Sequence, residues 1–179
     1  MTLTESAQER DEATTPELDT SPDSQPTAQA SVVASVPRIV LVGPPGAGKS
    51  TIGRRIASAL NLPIVDSDLL IEQSEGKACG EIFSEVGEER FREIEAGCVA
   101  RALATGGVVS LGGGAILTAS TRQLLQRHTV VWIDVSAEEG IRRTANETSR
   151  PVLNADDPAQ HYRDLLATCL LYTSPSPRA

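Results

Sequence analysis

The 179-residue chain is 40% hydrophobic but only 3% aromatic, so an aliphatic core is expected, and its net charge of −8 argues against a nucleic-acid-binding protein. Apolar runs stay well short of a membrane span, and the three cysteines lack the spacing of metal or redox sites. We therefore expect a cytoplasmic protein without nucleic-acid or membrane partners. A monomer is also expected.

Residues 1–36 differ in composition from the rest of the chain. They hold seven acidic residues and one arginine, with almost no large apolar side chain before Val32. Such a segment cannot bury enough surface to offset the entropy of ordering, so we predict a disordered acidic tail. A dispensable tail is the simpler interpretation, and a partner-binding tail is the alternative.

From Arg38 onward, short apolar runs alternate with helical patterns. Strands are predicted within residues 38–42, 62–68, 107–114 and 129–135. Helical patterns separate them, and Ile52, Ile56 and Leu60 are expected on one face of the first helix. This alternation predicts an α/β fold with a parallel sheet covered by helices on both faces.

Local signals refine two of the predicted helices. Gly87 interrupts the helical pattern over residues 81–105, which predicts two helices with a break between them. Ser136 and Glu139 have the spacing of a capping box, which predicts a helix that begins after Ser136.

A phosphate-binding loop follows the first predicted strand. Gly43, Gly48, Lys49 and Ser50 match the G-x-x-x-x-G-K-[ST] pattern, and a predicted helix begins at its end. Glycines allow backbone N–H groups to surround phosphate oxygens, and the helix N-terminus favours negative charge. Lys49 is predicted to reach the β- and γ-phosphates and Ser50 to ligate Mg²⁺. The loop predicts binding of a purine nucleotide but does not identify the phosphate acceptor.

Two carboxylates lie where the second strand ends. Strand alternation predicts that Asp66 and Asp68 point to the same side, at the sheet edge where ligands bind. There they could hold a metal-bound water and accept the proton of a substrate hydroxyl. The alternative is that Asp68 only caps the following helix.

Further candidates each have a structural alternative. Arg92 could bind a substrate carboxylate, or it could pair with Glu95 or Glu89 on its own helix. Gly112–Gly114 could allow a ligand close to the backbone, or form a plain turn. Arg150 lies in a polar connection that could act as a lid and reach the transferred phosphate, or it could be a solvated loop arginine.

A phosphate loop followed by D-S-D, F-R-x-x-E, G-G-G and R-P-x-L resembles the shikimate kinase family over residues 37–168. The resemblance implies a three-layer α/β/α P-loop kinase with a five-stranded parallel sheet. It also implies Mg²⁺-dependent transfer of the ATP γ-phosphate to the 3-hydroxyl of shikimate. Two alternatives stay open: another small-molecule P-loop kinase, for gluconate or a nucleotide, and an ATP-binding protein without catalysis.

The resemblance assigns a role to each matching position. Residues that bind the phosphates of ATP would be Gly46, Ala47, Gly48, Lys49, Ser50 and Thr51, with Arg150 as a further ATP contact. Mg²⁺ would be held by Ser50 and, through water, Asp66. Shikimate would be bound by Asp68, Arg92, Gly112, Gly113 and Gly114. The catalytic residues would be Lys49, Asp68 and Arg150, with Asp68 as the candidate base.

Residues 169–179 do not continue the family pattern. The resemblance implies a second carboxylate-binding arginine at or beside Cys169, then an adenine-binding loop, a fifth strand and a final helix. Residues 169–178 instead match one translation frame of a transposon-end sequencing adapter, although a natural Pro/Ser tail is the alternative. We expect a non-native segment here. We also expect a chain that folds poorly or aggregates, binds shikimate weakly and has little kinase activity.

Overall fold

The computed structural model describes residues 35–145 and 156–173. The predicted tail lies almost wholly outside these ranges, and so does Arg150. The strands are β1 (Pro37–Val42), β2 (Ile64–Asp66), β3 (Gly107–Ser110) and β4 (Val130–Trp132). The helices are α1 (Lys49–Leu60), α2 (Ser67–Glu75), α3 (Cys79–Leu103), α4 (Ala119–Leu125), α5 (Ala137–Thr144) and α6 (Pro158–Thr173), and a 3₁₀ helix spans Ala115–Leu117.

The described strands form one parallel sheet in the order β2-β3-β1-β4. Each was predicted from its apolar run, and the parallel α/β fold is confirmed. In a parallel sheet the carboxyl ends of neighbouring strands meet at one edge. Residues that follow β1, β2 and β3 are therefore brought together there, although they are far apart in sequence.

An aliphatic core covers both faces of the sheet, as the composition predicts. On one face, Val40 and Val109 pack with Val99 of α3 and Leu165 of α6. On the other face, α1 packs against Leu41 and Val108. Full burial of a valine or leucine side chain contributes about 1.5–3 kcal/mol, so these aliphatic contacts stabilise the packing of the helices on the sheet.

Helix α1 approaches the sheet more closely than its large apolar residues suggest. A Cβ atom on Gly53 would lie 2.8 Å from the Cδ1 of Ile64, and Ala57 is buried beside it. Ile52 and Ile56 pack against the core on this face, whereas Leu60 is 50% exposed. It is the last residue of the helix, and Asn61 follows in the left-handed conformation that ends it.

The predicted break and cap are present. Gly87 is non-helical, with φ 78° and ψ 170°, inside α3. The Ser136 hydroxyl accepts a hydrogen bond from the Glu139 N–H at 3.2 Å, which caps α5. The reciprocal half of the capping box is wrong, because the Glu139 carboxylate accepts hydrogen bonds from the guanidinium groups of Arg142 and Arg143 instead.

Strand β4 is an edge strand in the described sheet. Val130 and Val131 are each 38% exposed. An edge with exposed β-branched side chains can pair with another chain, so the expected aggregation stays a prediction with a physical basis. None of the described helices is long and apolar enough to cross a membrane.

Helix α6 runs through the expected boundary at residue 169. Cys169 is fully buried in the core, and the guanidinium carbon of Arg122 lies 3.8 Å from the centroid of the Tyr172 ring. The expected boundary therefore does not coincide with the end of a helix. That residues 169–179 are non-native stays a prediction.

Candidate active site

The phosphate loop joins β1 to α1 and bends through left-handed glycines. Gly46 and Gly48 have φ values of 75° and 86°, which non-glycine residues rarely adopt. At Gly43 there is no room for a side chain, because a Cβ atom there would lie 2.3 Å from the Ile133 carbonyl oxygen. The loop therefore lies directly against the chain that follows β4.

Lys49 is buried at the first position of α1, with 7% of its surface exposed. Its ammonium group donates hydrogen bonds to the carbonyl oxygens of Gly43 and Pro44 at 2.8 and 2.9 Å. A buried cation thus lies inside the loop, at the N-terminus of a helix. Both features favour a bound anion.

Ser50 and Asp66 lie together although they come from different elements. The Ser50 hydroxyl donates to the Asp66 Oδ2 at 2.6 Å. The other carboxylate oxygen accepts from the Asp68 N–H at 3.0 Å, so the cap of α2 is Asp66. The alternative in which Asp68 is the cap was therefore wrong. The alternation argument also fails, because β2 ends at Asp66 and Asp68 lies in the first turn of α2.

A hydroxyl and a carboxylate are hard oxygen ligands, which suit Mg²⁺. In residues 35–145 and 156–173, the structure contains no group of three or more His, Cys, Asp and Glu that could hold a metal ion. Magnesium sites at nucleotides commonly have few protein ligands, because phosphate oxygens and water complete the octahedron. The Ser50–Asp66 pair fits this chemistry.

The Asp68 carboxylate lies against the glycines that follow β3. A Cβ atom on Gly112 would lie 2.4 Å from the Asp68 Oδ1 and 3.1 Å from the Glu95 Oε1. Two carboxylates from different helices therefore face one glycine. Sequence reasoning placed Asp68 here but assigned no site role to Glu95.

Each of the three consecutive glycines contacts a different part of the site. A Cβ atom on Gly113 would lie 2.7 Å from the Cγ of Pro45 in the phosphate loop, and one on Gly114 would lie 2.6 Å from a nitrogen of Arg92. None of the three has a left-handed φ. Glycine is required here by close packing, so the turn brings the phosphate loop and Arg92 close together.

Ser67 holds this turn, a role that sequence reasoning missed. Its hydroxyl is fully buried and accepts a hydrogen bond from the Gly112 N–H at 2.8 Å. A small polar residue between two aspartates at the end of a strand was the available signal. The bond ties the start of α2 to the end of β3 and so fixes Asp68 relative to the glycines.

Arg92 is held by ion pairs on its own helix. Its Nη1 donates to the Glu95 Oε2 at 2.6 Å, and its Nη2 lies 3.7 Å from the Glu88 carboxylate. The ion-pair alternative is therefore present with Glu95, while the suggested partner Glu89 was wrong because Glu88 is the neighbour one turn back. The buried Nη2 has no hydrogen-bond partner.

Burial raises the pKa of Glu95 above its ordinary value, whereas the charge and hydrogen bond of Arg92 act to lower it. Only 3% of this side chain is exposed, so the carboxylate is costly to ionise without its partner. The pair leaves one charged, buried donor of Arg92 unsatisfied, and such a donor favours an anionic ligand.

Comparisons with known proteins identify the family of this chain. The family model described as "SKI: Shikimate kinase" matches residues 45–178. A shikimate kinase of Corynebacterium efficiens is 71% identical over 132 residues, which are 74% of this chain and 78% of the relative. That of Mycobacterium tuberculosis is 51% identical over 132 residues, or 73% and 75% of the two chains. This chain belongs to the shikimate kinase family.

Solved shikimate kinases also share the fold. The structure of "Shikimate kinase from Acinetobacter baumannii in complex with shikimate" has a TM-score of 0.73 at 35% identity, covering 82% of this chain and 87% of that one. The family identity removes the alternatives of a gluconate or nucleotide kinase and of a non-catalytic ATP-binding protein.

The resemblance implied an arginine with a role in the site at two further positions. Cys169 lies at or beside the position for which the resemblance implied a second arginine. Burial raises the pKa of its thiol to about 11, against opposing effects of Lys49 and Arg92, so a neutral group lies within electrostatic reach of both cations. Arg150 lies outside the described residues, and its expected contact with ATP stays a prediction.

Proposed function

We propose that this chain transfers the γ-phosphate of ATP to the 3-hydroxyl of shikimate, giving ADP and shikimate 3-phosphate on the route to chorismate and the aromatic amino acids. The supporting observation is the Arg92–Glu95 pair, whose unsatisfied Nη2 lies next to the glycine turn. Shikimate carries a carboxylate and several hydroxyls. Its binding therefore needs a fixed cation next to a group that accepts hydrogen bonds from hydroxyls, and Arg92 and Asp68 are such a pair.

On the donor side, we propose that Gly46 to Thr51 bind the phosphates through backbone N–H groups, with Lys49 neutralising charge on the β- and γ-phosphates. Lys49 would exchange its bonds to the carbonyls of Gly43 and Pro44 for phosphate oxygens. Ser50 and, through water, Asp66 would hold Mg²⁺. The metal ion, when bound, supplies further neutralisation of phosphate charge.

On the acceptor side, we propose that Arg92 binds the shikimate carboxylate and Asp68 binds ring hydroxyls. Asp68 accepts the proton of the 3-hydroxyl while the oxygen of that hydroxyl forms a bond to the γ-phosphorus. The bond between the γ-phosphorus and the oxygen of the β-phosphate breaks, and ADP leaves. Gly112 to Gly114 allow the ring to approach the backbone, because they carry no side chains. Positioning of this kind supplies most of the catalysis of phosphoryl transfer.

Three further assignments complete the proposal. Arg150 would contact the phosphates of ATP and stabilise the charge of the transferred group. The protein would act in the cytoplasm as a monomer. Neither nucleic acid nor a membrane takes part in the proposed reaction.

A panel of acceptors with coupled detection of ADP tests the activity. We expect Mg²⁺-dependent ADP release with shikimate, none after chelation of the metal, and none with gluconate or AMP. Release with gluconate or AMP but not with shikimate would contradict the proposal. Calorimetric titrations with shikimate and with Mg-ADP separate weak turnover from absent binding, because a poorly active chain still shows saturable heat with both.

A further inference from the structure

The first four carbonyl groups of the phosphate loop, those of residues 43–46, all accept hydrogen bonds from side chains. Those of Gly43 and Pro44 accept from Lys49, as described above. The Pro45 carbonyl accepts from the Tyr162 hydroxyl at 2.7 Å, and the Gly46 carbonyl accepts from the Arg143 Nη1 at 3.1 Å. Four consecutive carbonyls therefore have fixed directions, and Tyr162 provides the only one of these bonds that originates in α6.

Tyr162 holds the peptide group between Pro45 and Gly46, which carries the first N–H of the loop after Gly43. Pro44 and Pro45 have no backbone N–H, so after Gly43 the first N–H of the loop is that of Gly46. In a trans peptide the carbonyl of one residue and the N–H of the next point in opposite directions. A Pro45 carbonyl that is held towards Tyr162 therefore turns the Gly46 N–H away from Tyr162.

Tyr162 lies in a tightly fitted position. Its side chain is completely buried, and its hydroxyl meets Gly140 of α5 so closely that a Cβ atom there would lie 1.9 Å from the oxygen. Only glycine leaves room for the ring at that position. The hydroxyl thus cannot move far without either displacing α5 or losing the Pro45 carbonyl.

We propose that Tyr162 is a positioning residue for the nucleotide: its hydroxyl orients the Pro45–Gly46 peptide so that the Gly46 N–H faces the phosphates of ATP. The inference rests on the proposed ATP site and adds a residue outside the phosphate-loop motif. It acts through the backbone, and neither the side chain nor α6 needs to contact the nucleotide.

Tyr162→Phe tests the proposal, because it keeps the ring and removes only the hydroxyl. In calorimetric titrations with Mg-ADP we expect the Kd to rise about three- to tenfold, the usual effect of one hydrogen bond. The Kd for shikimate should stay within twofold. Tyr172→Phe, which changes the only other tyrosine of the chain, should alter neither value. Unchanged affinity for Mg-ADP, or an equal loss of both ligands, would overturn the inference.

A second variant and a ligand-free measurement keep the test decisive. Gly140→Ala should weaken Mg-ADP binding as Tyr162→Phe does, although alanine normally favours a helix. Gly97→Ala, at an open position in α3, is its control. Without ligand, Tyr162→Phe should speed amide exchange selectively in residues 43–52. Exchange that is faster throughout the protein would indicate a merely structural role. If the parent chain binds no Mg-ADP, the proposed function fails, while the exchange pattern still decides the role of Tyr162.

Discussion

The two halves of the site are built in different ways. The donor side, residues 43–51, is one continuous loop and helix start, in which backbone carbonyls hold a buried lysine. The acceptor side combines Asp68 of α2, the Arg92–Glu95 pair of α3 and the glycines after β3, and it depends on side chains meeting across the sheet edge. Local sequence therefore supplies the residues of the first half, although side chains of α5 and α6 also hold its loop, whereas only the assembled fold creates the second half.

This difference predicts that the two ligands can be weakened separately. Changes on the donor side should reduce nucleotide binding and leave shikimate binding intact, and changes on the acceptor side should do the reverse. The two halves meet at Gly113, which packs against Pro45 of the phosphate loop. Coupling between the halves should therefore be confined to variants near that contact.

Lys49→Met should have the largest effect. It removes a buried cation from the donor side, and loss of a group that stabilises transition-state charge typically reduces turnover by about a hundred- to a thousandfold. The Kd for shikimate should change less than twofold. Single-turnover transfer and shikimate calorimetry measure the two quantities. Lys77→Met, at the only other lysine, which pairs with Glu85 on the surface, is the control. Loss of shikimate binding in Lys49→Met would break the separation of the two halves.

Asp68→Asn should reduce turnover by at least about a hundredfold, the usual scale for loss of a general base. The amide keeps the shape against Gly112 but cannot take the proton, so the Kd for Mg-ADP should not change. Asp156→Asn alters an exposed aspartate and is the control. An Asn variant with turnover near that of the parent would reject Asp68 as the base.

Arg92→Lys should weaken shikimate binding by about tenfold, because a lysine provides a point charge in place of a planar fork. Calorimetry with each ligand separates the outcomes, and Mg-ADP binding should be unaffected. Arg90→Lys, on the exposed side of the same helix, is the matched change. If both affinities fell together with the midpoint of urea unfolding, Arg92 would have a structural role through Glu95 alone.

The sequence predicted the donor side better than the acceptor side, for physical reasons. Spacing alone identified Lys49 and Ser50, because both belong to one turn and one helix start, although it did not show that Tyr162 and Arg143 also hold this loop. It could not show that Asp66 rather than Asp68 caps α2, since the end of β2 decides this and a strand of three residues has no sharp sequence signal. The roles of Ser67, Glu95 and Tyr162 depend on partners in distant elements, which periodicity does not specify.

The ion pairs of Glu139 on α5, beside the donor side, should make the stability of the protein weakly dependent on pH. The Glu139 carboxylate accepts hydrogen bonds from Arg142 and Arg143, which lower its pKa to about 2 from an ordinary value of 4.5. A carboxyl whose folded pKa is lowered stabilises the protein above its unfolded pKa, and this stabilisation is lost as the pH falls through the folded value. The contribution is therefore complete above pH 4.5 and disappears towards pH 2. It is small, because the groups are exposed to solvent.

Glu139→Gln should lower the midpoint of urea unfolding slightly at neutral pH, and the difference from the parent should shrink as the pH falls from 4.5 towards 2. Salt should reduce the same difference by screening the charges. Glu138→Gln, an exposed neighbour in the same first turn of α5, is the control.

Because Arg143 also donates to the Gly46 carbonyl, Glu139→Gln should weaken Mg-ADP binding by less than about threefold, within the range of one surface ion pair, and leave shikimate binding unchanged. A difference in the urea midpoint that does not vary with pH would show that the ion pairs are not its cause, and a change in shikimate affinity would show that the two halves of the site are coupled through α5.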